Sequence, residues 1–516
     1  MEISERLGFS DEDKKWETLV HDLSQIGINL SAEKNIDKLL ELILKESMRI
    51  TQSDAGSIYV KEGEAPQEIL RFKYTQCISK DFPFSEFVLP VNKKSIAGAC
   101  AYLGEILNFK DMSETIDILG LEHNKTFDNS IGYSTRNMLV IPMRNYSGDI
   151  IGIMQLINKK RSNDKLLKEP EDFDRYVVPF TTNEEEVIES LSSQAAILIE
   201  RSILYEEIES QFRSFMEVLV TSLDQRDPVT AGHSKRVADY AVQLAKDLTD
   251  AQKGPYAPVV FTEDEIKGIY YAGLLHDVGK IGVAEYVLTK ENKLNDAEFQ
   301  ALEYKFYLYK NELENRIKHN TIKPEEMTIL DTLLEDIETL RNINTSGFLD
   351  DEKAELLSKI SNYKYTYIDG EVKNILTENE IEMLSVKRGN LTSNERAIIE
   401  SHPQYTYDVL SGINWSGDLK NVPSIAAEHH EKLDGTGYPK GLDADKLSLQ
   451  SRILGVVDIF DALTAKDRPY KPALSLERTI EILGFEAKAN HLDKDLIQIF
   501  LDSKSYRVHM GVAENA

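Results

Sequence analysis

His429 and His430 stand side by side at the start of the stretch HHEKLDGTGYP, which ends at Pro439. Two adjacent histidines rarely serve packing, because every imidazole nitrogen that becomes buried needs a hydrogen-bond partner. Other histidines and carboxylates that could act with this pair lie far away along the chain. They are His233, His276, Asp277, His402 and Asp458. If these residues act together, the fold has to bring widely separated segments to one point.

The chemistry of this set indicates a metal site. It contains imidazoles and carboxylates but no thiolate, which favours hard or borderline divalent ions such as iron or manganese over structural zinc. His276 and Asp277 end an apolar helical pattern that stops at Gly279. Neighbouring helical residues point about 100° apart, so Asp277 can bridge two ions while His276 binds one. Two such ions activate water and neutralise a phosphodiester. Asp277 and Lys280, which can offset phosphate charge, are the candidate catalytic residues.

Length and composition describe a protein of several domains. A chain of 516 residues is too long for one compact core, so two or three domains are expected. Hydrophobic and charged contents of 41% and 29% are typical of a globular protein in water. We expect no transmembrane helix, because no apolar run is long enough. The acidic N-terminus is not expected to be a signal peptide.

The net charge limits the expected binding partners, and the cysteine content indicates the cellular compartment. The formal net charge of −28 repels long polyanions, so duplex nucleic acid and anionic membranes are excluded as expected partners. A small phosphorylated ligand remains compatible, because it needs only a local cluster of cations or metal. Cys77 and Cys100 are the only cysteines in the sequence. Their scarcity indicates a reducing compartment, and we expect the protein in the cytoplasm.

Residues 1–186 are expected to form an α/β domain with an antiparallel sheet and helices. Amphipathic helix patterns lie near residues 15–50 and again from Ser95 to Leu103. Strand patterns follow Asp54 and cover Ile69 to Tyr74. The clearest β signal is a hairpin from Asn137 to Asn158, with a turn at Asn145 to Asp149.

Residues 187–226 are expected to form a long connecting helix. Apolar residues follow an alternating spacing of 3 and 4, interrupted by Ser202 and Glu209, which is typical of a coiled coil. The positions in this seam are Ile188, Leu191, Ala195, Leu198, Ser202, Tyr205, Glu209, Phe212, Met216, Leu219 and Leu223. Such a helix spans roughly 60 Å. We expect a parallel homodimer along this seam, and the alternative is a helix that packs only on its own domain.

Residues 227–516 are expected to form an all-α domain, because strand signals are absent there. An internal echo relates Leu294-Asn295-Asp296-Ala297-Glu298 to Leu391-Thr392-Ser393-Asn394-Glu395. The segment between the two copies is rich in Glu, Lys, Leu and Tyr. We interpret residues from about 295 to 388 as a helical insertion outside the catalytic core.

The C-terminal motifs resemble those of a known family. The segment His276 to Lys280 matches the HD-x-G-K element of HD-domain phosphohydrolases. The segment His429 to Pro439 matches HHE-x-x-DG-x-GYP at every fixed position. The chain resembles the HD-GYP proteins, and this resemblance implies a phosphodiesterase that opens cyclic di-GMP to pGpG and, in some members, continues to GMP.

The resemblance also implies a set of metal ligands. One divalent ion would be held by His233, His276, Asp277 and Asp458, and the second by Asp277, His402, His429 and His430, with Asp277 shared. Asp461 is the alternative to Asp458. Members with a third ion have Glu where this chain has Val229, so two ions, iron or manganese, are expected.

Substrate contacts follow from the same resemblance. Lys280 would contact phosphate, and Gly437, Tyr438 and Pro439 would shape the loop on the substrate side. Phosphate or guanine contacts would come from Arg468 and Lys471.

The N-terminal domain resembles a GAF domain through Asp54 to Ser57, Gly148 to Leu156 and Asn158-Lys159. In cyclic-nucleotide-binding members an Asn-Lys pair is followed by Phe-x-x-x-Asp-Glu, and here Phe180 is followed by Glu184-Glu185. The resemblance implies a structural salt bridge between that Lys and that acid. A small ligand such as a cyclic nucleotide is one expectation for this domain, and a pocket architecture without a nucleotide is the other.

Three functions are compatible with these motifs. The first is a dimeric, sensor-regulated phosphodiesterase for cyclic di-GMP. The second keeps the chemistry but changes the substrate to another cyclic dinucleotide such as cyclic GMP-AMP. The third is a catalytically weak HD-GYP scaffold that recruits a diguanylate cyclase.

Overall fold

The computed structural model describes most of the chain, in nine segments. They are residues 24–33, 35–63, 67–80, 85–112, 121, 132–224, 232–251, 254–465 and 473–509. The chain forms two compact units, with the division between Phe212 and Arg213. Within the described segments, no helix is both long enough and apolar enough to cross a membrane.

The first unit is built on a six-stranded antiparallel sheet in the order β3-β2-β1-β6-β5-β4. The strands are β1 Ser53–Glu62, β2 Ile69–Cys77, β3 Val88–Pro90, β4 Leu107–Phe109, β5 Met138–Arg144 and β6 Ile150–Lys159. The predicted hairpin is confirmed as β5 and β6. Its turn is held by the Asn145 side chain, which accepts hydrogen bonds from the backbone of Ser147 and Asp149.

Helices cover both faces of this sheet. They are α1 Ile36–Thr51, α2 Ile96–Leu103, α3 Pro170–Tyr176 and the first part of α4 Thr182–Asp224, and residues 24–32 are also helical. Alternate side chains of β1 point to opposite faces. Ile58 and Val60 enter the core formed with α1 and α4, whereas Tyr59 enters the core beneath α2. The expected α/β domain with an antiparallel sheet is therefore present.

The long connecting helix is present as α4, but its apolar positions are used differently from the expected seam. Ile188, Leu191 and Ala195 are buried in the core of the first unit, because the start of α4 is needed to cover one face of the sheet. These three residues are therefore not available to a partner chain. The predicted end of the helix, at residues 225–226, lies outside the described residues.

The second unit is helical around the predicted metal ligands. Its helices are α5 His233–Ala251, α6 Glu263–Leu275, α7 Glu285–Leu288, α8 Asp296–Lys318, α9 Pro324–Thr345, α10 Asp351–Ile360, α11 Glu378–Leu384, α12 Ser393–Ile399, α13 His402–Ser411, α14 Val422–Ala427, α15 Leu449–Thr464, α16 Leu476–Lys488 and α17 Lys494–Asp502. Four short 3₁₀ turns also occur, at Gly254–Tyr256, Val278–Gly282, Gly417–Asn421 and Ser505–Val508.

Close contact between α5 and α6 brings the first two predicted ligands together. A Cβ atom at Gly273 would lie 2.8 Å from Cα of Ala238, so only glycine allows this approach. A capping box at Thr262 and Glu265 starts α6. From there the helix leads directly to His276.

The segment between the two echoed motifs has a hydrophobic core of its own. Seventeen buried residues from Leu294 to Leu384 form it. This core includes a small antiparallel hairpin, β7 Lys364–Thr366 and β8 Val372–Asn374. The sequence predicts no strand in this region, because three-residue strands are too short to show an alternating pattern. The hairpin is the exception within an otherwise helical unit.

The internal echo has a structural explanation. Each copy starts a helix with a capping box, formed by Asn295 with Glu298 and by Thr392 with Glu395. The two copies lie side by side, since Lys290 places Nζ 2.7 Å from Oε1 of Glu395 in a buried ion pair. The two ends of the segment therefore lie next to each other.

Candidate metal centre

Three of the predicted histidines are oriented by the same type of hydrogen bond to the backbone. Nδ1 of His276, His402 and His429 lies 2.6–2.7 Å from the carbonyl oxygen three residues earlier, at Gly273, Ile399 and Ala426 respectively. A carbonyl oxygen can only accept, so Nδ1 carries the proton in each ring. Nε2 is left as an unprotonated nitrogen with a free lone pair, which is the form that binds a metal.

These three Nε2 atoms are buried and have no hydrogen-bond partner. A buried polar atom without a partner is costly and needs an explanation. The rings lie close together, with centroids 4.7 Å apart for His276 and His429 and 5.5 Å apart for His402 and His429. A divalent ion would satisfy all three nitrogens, so the residues present fit a metal.

Potential ligand atoms lie within 4.8 Å of one another in three overlapping groups. The groups are His402, His429 and His430, then His233, His276 and Asp458, and finally His276, Asp277 and His429. All seven predicted ligands are thus brought to one place. The first two groups correspond to two separate positions, and the third connects them.

Asp277 lies between the two positions. Its Oδ2 is 3.4 Å from Nε2 of His276, and its Oδ1 is 3.3 Å from Nε2 of His402. Each oxygen therefore faces one position, which is the geometry that a bridging carboxylate needs. Lys280 places Nζ 2.8 Å from Oδ2 of the same carboxylate, so the predicted cation is adjacent to the centre.

A close contact between the end of α6 and the start of α13 holds this arrangement. A Cβ atom at Gly279 would lie 2.0 Å from the His402 carbonyl oxygen, so glycine is required. Buried Thr406 joins the two segments, because its hydroxyl donates to the His276 carbonyl and accepts from the Gly279 amide. Sequence reasoning missed Thr406, because one threonine in an amphipathic helix carries no distinctive signal.

Asp458 and Asp461, the two alternatives on α15, have different surroundings. Oδ1 of Asp458 is 3.1 Å from Nε2 of His233 and 3.7 Å from Nε2 of His276, so this carboxylate faces the centre. Asp461 lies behind His233, with Oδ2 2.7 Å from Nδ1. It also accepts two hydrogen bonds from Arg236. The period of α15 places both acids near His233 but on opposite sides of its ring.

The segment that follows the paired histidines is tightly bound to them. Buried Glu431 accepts hydrogen bonds from the backbone of Lys440 and Leu442. A Cβ atom at Gly437 would lie 2.4 Å from the Lys432 amide nitrogen. The motif therefore uses its glutamate and this glycine to close the loop against its own beginning.

Closure of the loop brings Tyr438 to the centre. The Tyr438 ring lies 4.8 Å from the His430 ring, measured between centroids. Pro439 follows it through a cis peptide bond. The loop therefore forms a wall beside His430, the most exposed of the predicted ligands.

Burial and neighbouring charges set the protonation states. Burial holds the pKa of His429 well below its usual value and lowers the pKa of His430 to about 4. Burial opposes ionisation of Asp277, but the adjacent Lys280 ammonium group favours it, and the pKa of Asp277 lies well below its usual range. Burial likewise disfavours a charged His233, yet Asp458 and Asp461 raise its pKa to about 9. Metal binding at His233 therefore requires release of a proton.

The predicted phosphate or guanine contacts Arg468 and Lys471 lie outside the described residues. The same holds for Val229, which stands where members with a third ion have Glu. A small cavity of about 20 Å³ beside the centre is lined by Asp277 and Lys280 and also by Ser234 and Ile281. This volume has room for about one water molecule. Lys280 is the predicted phosphate contact that lies beside the centre.

The GAF motif residues are also in contact. Nζ of Lys159 lies 2.6 Å from Oε2 of Glu184, the pairing that the resemblance implied, with Glu in place of Asp. A second ion pair, fully buried, joins Lys160 to Asp54 at 2.9 Å. Both pairs fix the end of β6, and both form without a nucleotide.

Comparison with family models identifies both units. The model described as GAF domain matches residues 35–199. Two models described as HD domain match residues 230–343 and 379–496. The chain therefore carries a GAF domain followed by an HD domain. HD domains of this kind bind divalent metal, in agreement with the grouped ligand atoms.

The chain is homologous to several curated phosphodiesterases. "3'3'-cGAMP-specific phosphodiesterase 3" of Vibrio cholerae serotype O1 is 25% identical over 274 residues, which cover 52% of this chain and 35% of that protein. A "Cyclic di-GMP phosphodiesterase" of the same organism is 24% identical, covering 57% and 41%. One from Thermotoga maritima is 38% identical, covering 20% and 28%. The chain spans less than half the length of each of these relatives.

Proposed function

We propose that this protein is a metal-dependent phosphodiesterase that hydrolyses cyclic di-GMP to pGpG, and further to GMP, under the control of its GAF domain. The observation that carries the proposal is the convergence of three unpartnered Nε2 atoms, those of His276, His402 and His429, with the carboxylates of Asp277 and Asp458. Relatives named as cyclic di-GMP phosphodiesterases support the substrate class.

The donor set supports two divalent ions, iron or manganese. One position has His233, His276 and Asp458, and the other has His402, His429 and His430, with Asp277 available to both. Imidazole and carboxylate donors without thiolate suit these ions. When bound, the ions would supply Lewis-acid activation of water and neutralise phosphoryl charge.

The chain's own residues orient the substrate. The ammonium group of Lys280 lies beside Asp277, where it can receive a phosphate oxygen of the cyclic dinucleotide. The Tyr438 ring beside His430 offers an apolar face on the loop side, against which a base or a ribose can pack. Gly437 and Pro439 hold that ring in place as part of the closed loop.

A second substrate, 3'3'-cyclic GMP-AMP, is favoured by a specific observation. Three relatives are named as phosphodiesterases specific for that dinucleotide, and one of them matches more than half of this chain. Both substrates contain the same two phosphodiester bonds, so the metal centre described above would serve either. Parallel turnover assays with the two dinucleotides decide between them.

The test combines metal analysis with turnover. Anaerobically purified protein is expected to hold two iron or manganese ions per chain and to release pGpG from cyclic di-GMP. Asp277→Ala is expected to lose both ions and essentially all turnover, because one carboxylate serves two positions. The control is Asp408→Ala, which removes an exposed carboxylate from α13.

Each outcome of this test is informative. Retention of two ions by Asp277→Ala contradicts the bridging role. Metal-loaded protein that turns over no cyclic dinucleotide favours the scaffold that recruits a diguanylate cyclase. Turnover of cyclic GMP-AMP alone would move the substrate assignment to the second candidate.

The homodimer that we propose uses an exposed face of α4. Leu204, Ile208, Phe215 and Val218 follow the 4-3 spacing of a coiled coil, and each is 51–62% exposed. This stripe is offset from the predicted seam, whose first residues are buried in the GAF core. Glutamate at Ile208 is expected to give monomers in sedimentation, and a dimer that survives the Ile208→Glu change would contradict this interface.

The GAF domain is proposed as the sensor. A ligand such as a cyclic nucleotide would have to bind two states of the domain with different affinity to alter turnover. Titration of the full chain with cyclic GMP and cyclic AMP, followed by heat release and by turnover, tests this proposal. Binding without a change in turnover would separate ligand recognition from regulation.

A further inference from the structure

The histidines of the metal centre are not all held in the same way. His276, His402 and His429 are oriented by carbonyl oxygens of the helical turn that precedes each of them. His233 is the first residue of α5, so no preceding turn of its helix supplies such a carbonyl. Its Nδ1 lies instead 2.7 Å from Oδ2 of Asp461 on α15.

Arg236 fixes this carboxylate from the other side. Its Nε donates to Oδ1 of Asp461 at 2.7 Å, and its Nη2 donates to Oδ2 at 3.0 Å. The side chain of Asp461 is 1% exposed, so water cannot replace either contact. Oδ2 therefore accepts from His233 and Arg236 together, which leaves the carboxylate little freedom to turn.

We propose that Asp461 is the positioning residue for His233 and that one metal position depends on it selectively. The dependent position is the one formed by His233, His276 and Asp458. The position formed by His402, His429 and His430 does not depend on Asp461, because backbone carbonyls orient His402 and His429. This inference rests on the proposed metal-dependent function.

The physical reason is control of the tautomer and ring angle of His233. A carboxylate can only accept, so Nδ1 keeps its proton and Nε2 is directed at Asp458, 3.1 Å away. Partners of this kind behind a metal ligand are typically worth about 10–100-fold in metal affinity. A side-chain partner can be changed by a single substitution, whereas the carbonyl partners of the other histidines cannot.

Asp461→Asn removes this control with little change in volume. If the amide oxygen of the new residue occupies the Oδ2 position, its NH₂ group meets the Nε donor of Arg236. If the amide is reversed, NH₂ faces Nδ1 of His233, which must then become the acceptor. In that case the ring proton moves to Nε2 and points at the metal position. Both orientations weaken binding there.

The experiment measures metal content and affinity in the full chain. Wild type is expected to hold two ions per chain, and Asp461→Asn one, with the affinity of the weaker position reduced about 10–100-fold. The matched control is Asp336→Asn, the same substitution at a buried carboxylate that accepts from Tyr363 in the separate core of α8 to α11. It is expected to keep both ions.

The outcomes separate this inference from the proposed function. A folded Asp461→Asn protein that binds both ions with wild-type affinity overturns the positioning role, and so does equal loss of both ions. If Asp461→Asn gives no cooperative thermal transition, Arg236→Ala decides, since it leaves the His233 contact but frees the carboxylate. Selective loss of one ion by Arg236→Ala supports the inference, and retention of both at wild-type affinity overturns it. Wild type without any bound metal instead refutes the proposed function.

Discussion

The contact between the His276-Asp277 segment and α13 gives the most specific stability prediction. Thr406 is fully buried, and its hydroxyl serves two backbone groups at once. It donates to the His276 carbonyl oxygen at 2.8 Å and accepts from the Gly279 amide at 3.0 Å. Thr406→Val keeps the shape of the side chain but removes both hydrogen bonds.

The expected cost follows from the two groups left without this partner. A buried donor or acceptor that loses its hydrogen bond costs about 1–3 kcal/mol, so the total is roughly 2–6 kcal/mol. Thr406→Ser is the matched control, because it keeps the hydroxyl and loses one methyl group, worth about 1 kcal/mol. For a large domain each kcal/mol shifts the Tm by about 2–4 °C. Valine should therefore lower the Tm of the HD transition by roughly 4–24 °C, and serine by about 2–4 °C.

Differential scanning calorimetry of the full chain measures both variants beside wild type. The same change should weaken the metal position that Asp277 shares with His402, because Thr406 fixes the distance between their segments. A valine variant that melts as high as the serine variant and keeps full metal content would refute this reasoning. It would mean that the hydroxyl is incidental to the joint between α6 and α13.

Three further perturbations have defined outcomes. Replacement of residues from about 295 to 388 by a short glycine linker is expected to leave metal content unchanged, because that segment carries its own core. Loss of metal would place the segment inside the catalytic core. Burial raises the pKa of Glu395, but Lys290 outweighs it and lowers the pKa below its usual value. Ionised Glu395 therefore stabilises the fold above about pH 4.5, so denaturant titrations should show wild type losing more stability than Glu395→Gln as the pH falls below that value. Parallel losses would contradict the pairing. Gly437→Ala is expected to destabilise by about 1–3 kcal/mol and to raise KM, because its Cβ would collide with the Lys432 backbone; unchanged kinetics would show that the loop does not shape the substrate side.

Local patterns in the sequence were sufficient for the elements and for the chemistry of the site. The β5–β6 hairpin, the helix that starts at Ile96 and the long helix α4 all follow from spacing and turn residues within one short window. The candidate metal ligands were predictable because adjacent imidazoles and a His-Asp pair have few uses other than metal binding. Interactions between residues that are close in sequence can be predicted directly from the order of residues.

Positions decided by packing could not be derived in this way. The seam on α4 is one example, since Ile188 and Leu191 fit a coiled coil by spacing but are buried against the sheet of the same chain. The hairpin of β7 and β8 is another, since three residues per strand leave too little pattern. In both cases the sequence is compatible with two arrangements of the segment. They differ only in which distant surface of the folded chain packs against it.

The sequence by itself determined which side chains are candidate metal ligands and that a GAF domain precedes an HD domain. Only the tertiary structure decided that Asp461 supports His233 while Asp458 faces the centre, and that Thr406 joins the two ligand segments. The physical reason is the distance along the sequence between the residues that interact. Ligand identity depends on side-chain chemistry at a single position, whereas the role of a supporting carboxylate or hydroxyl depends on which partner the folded chain brings within hydrogen-bond distance.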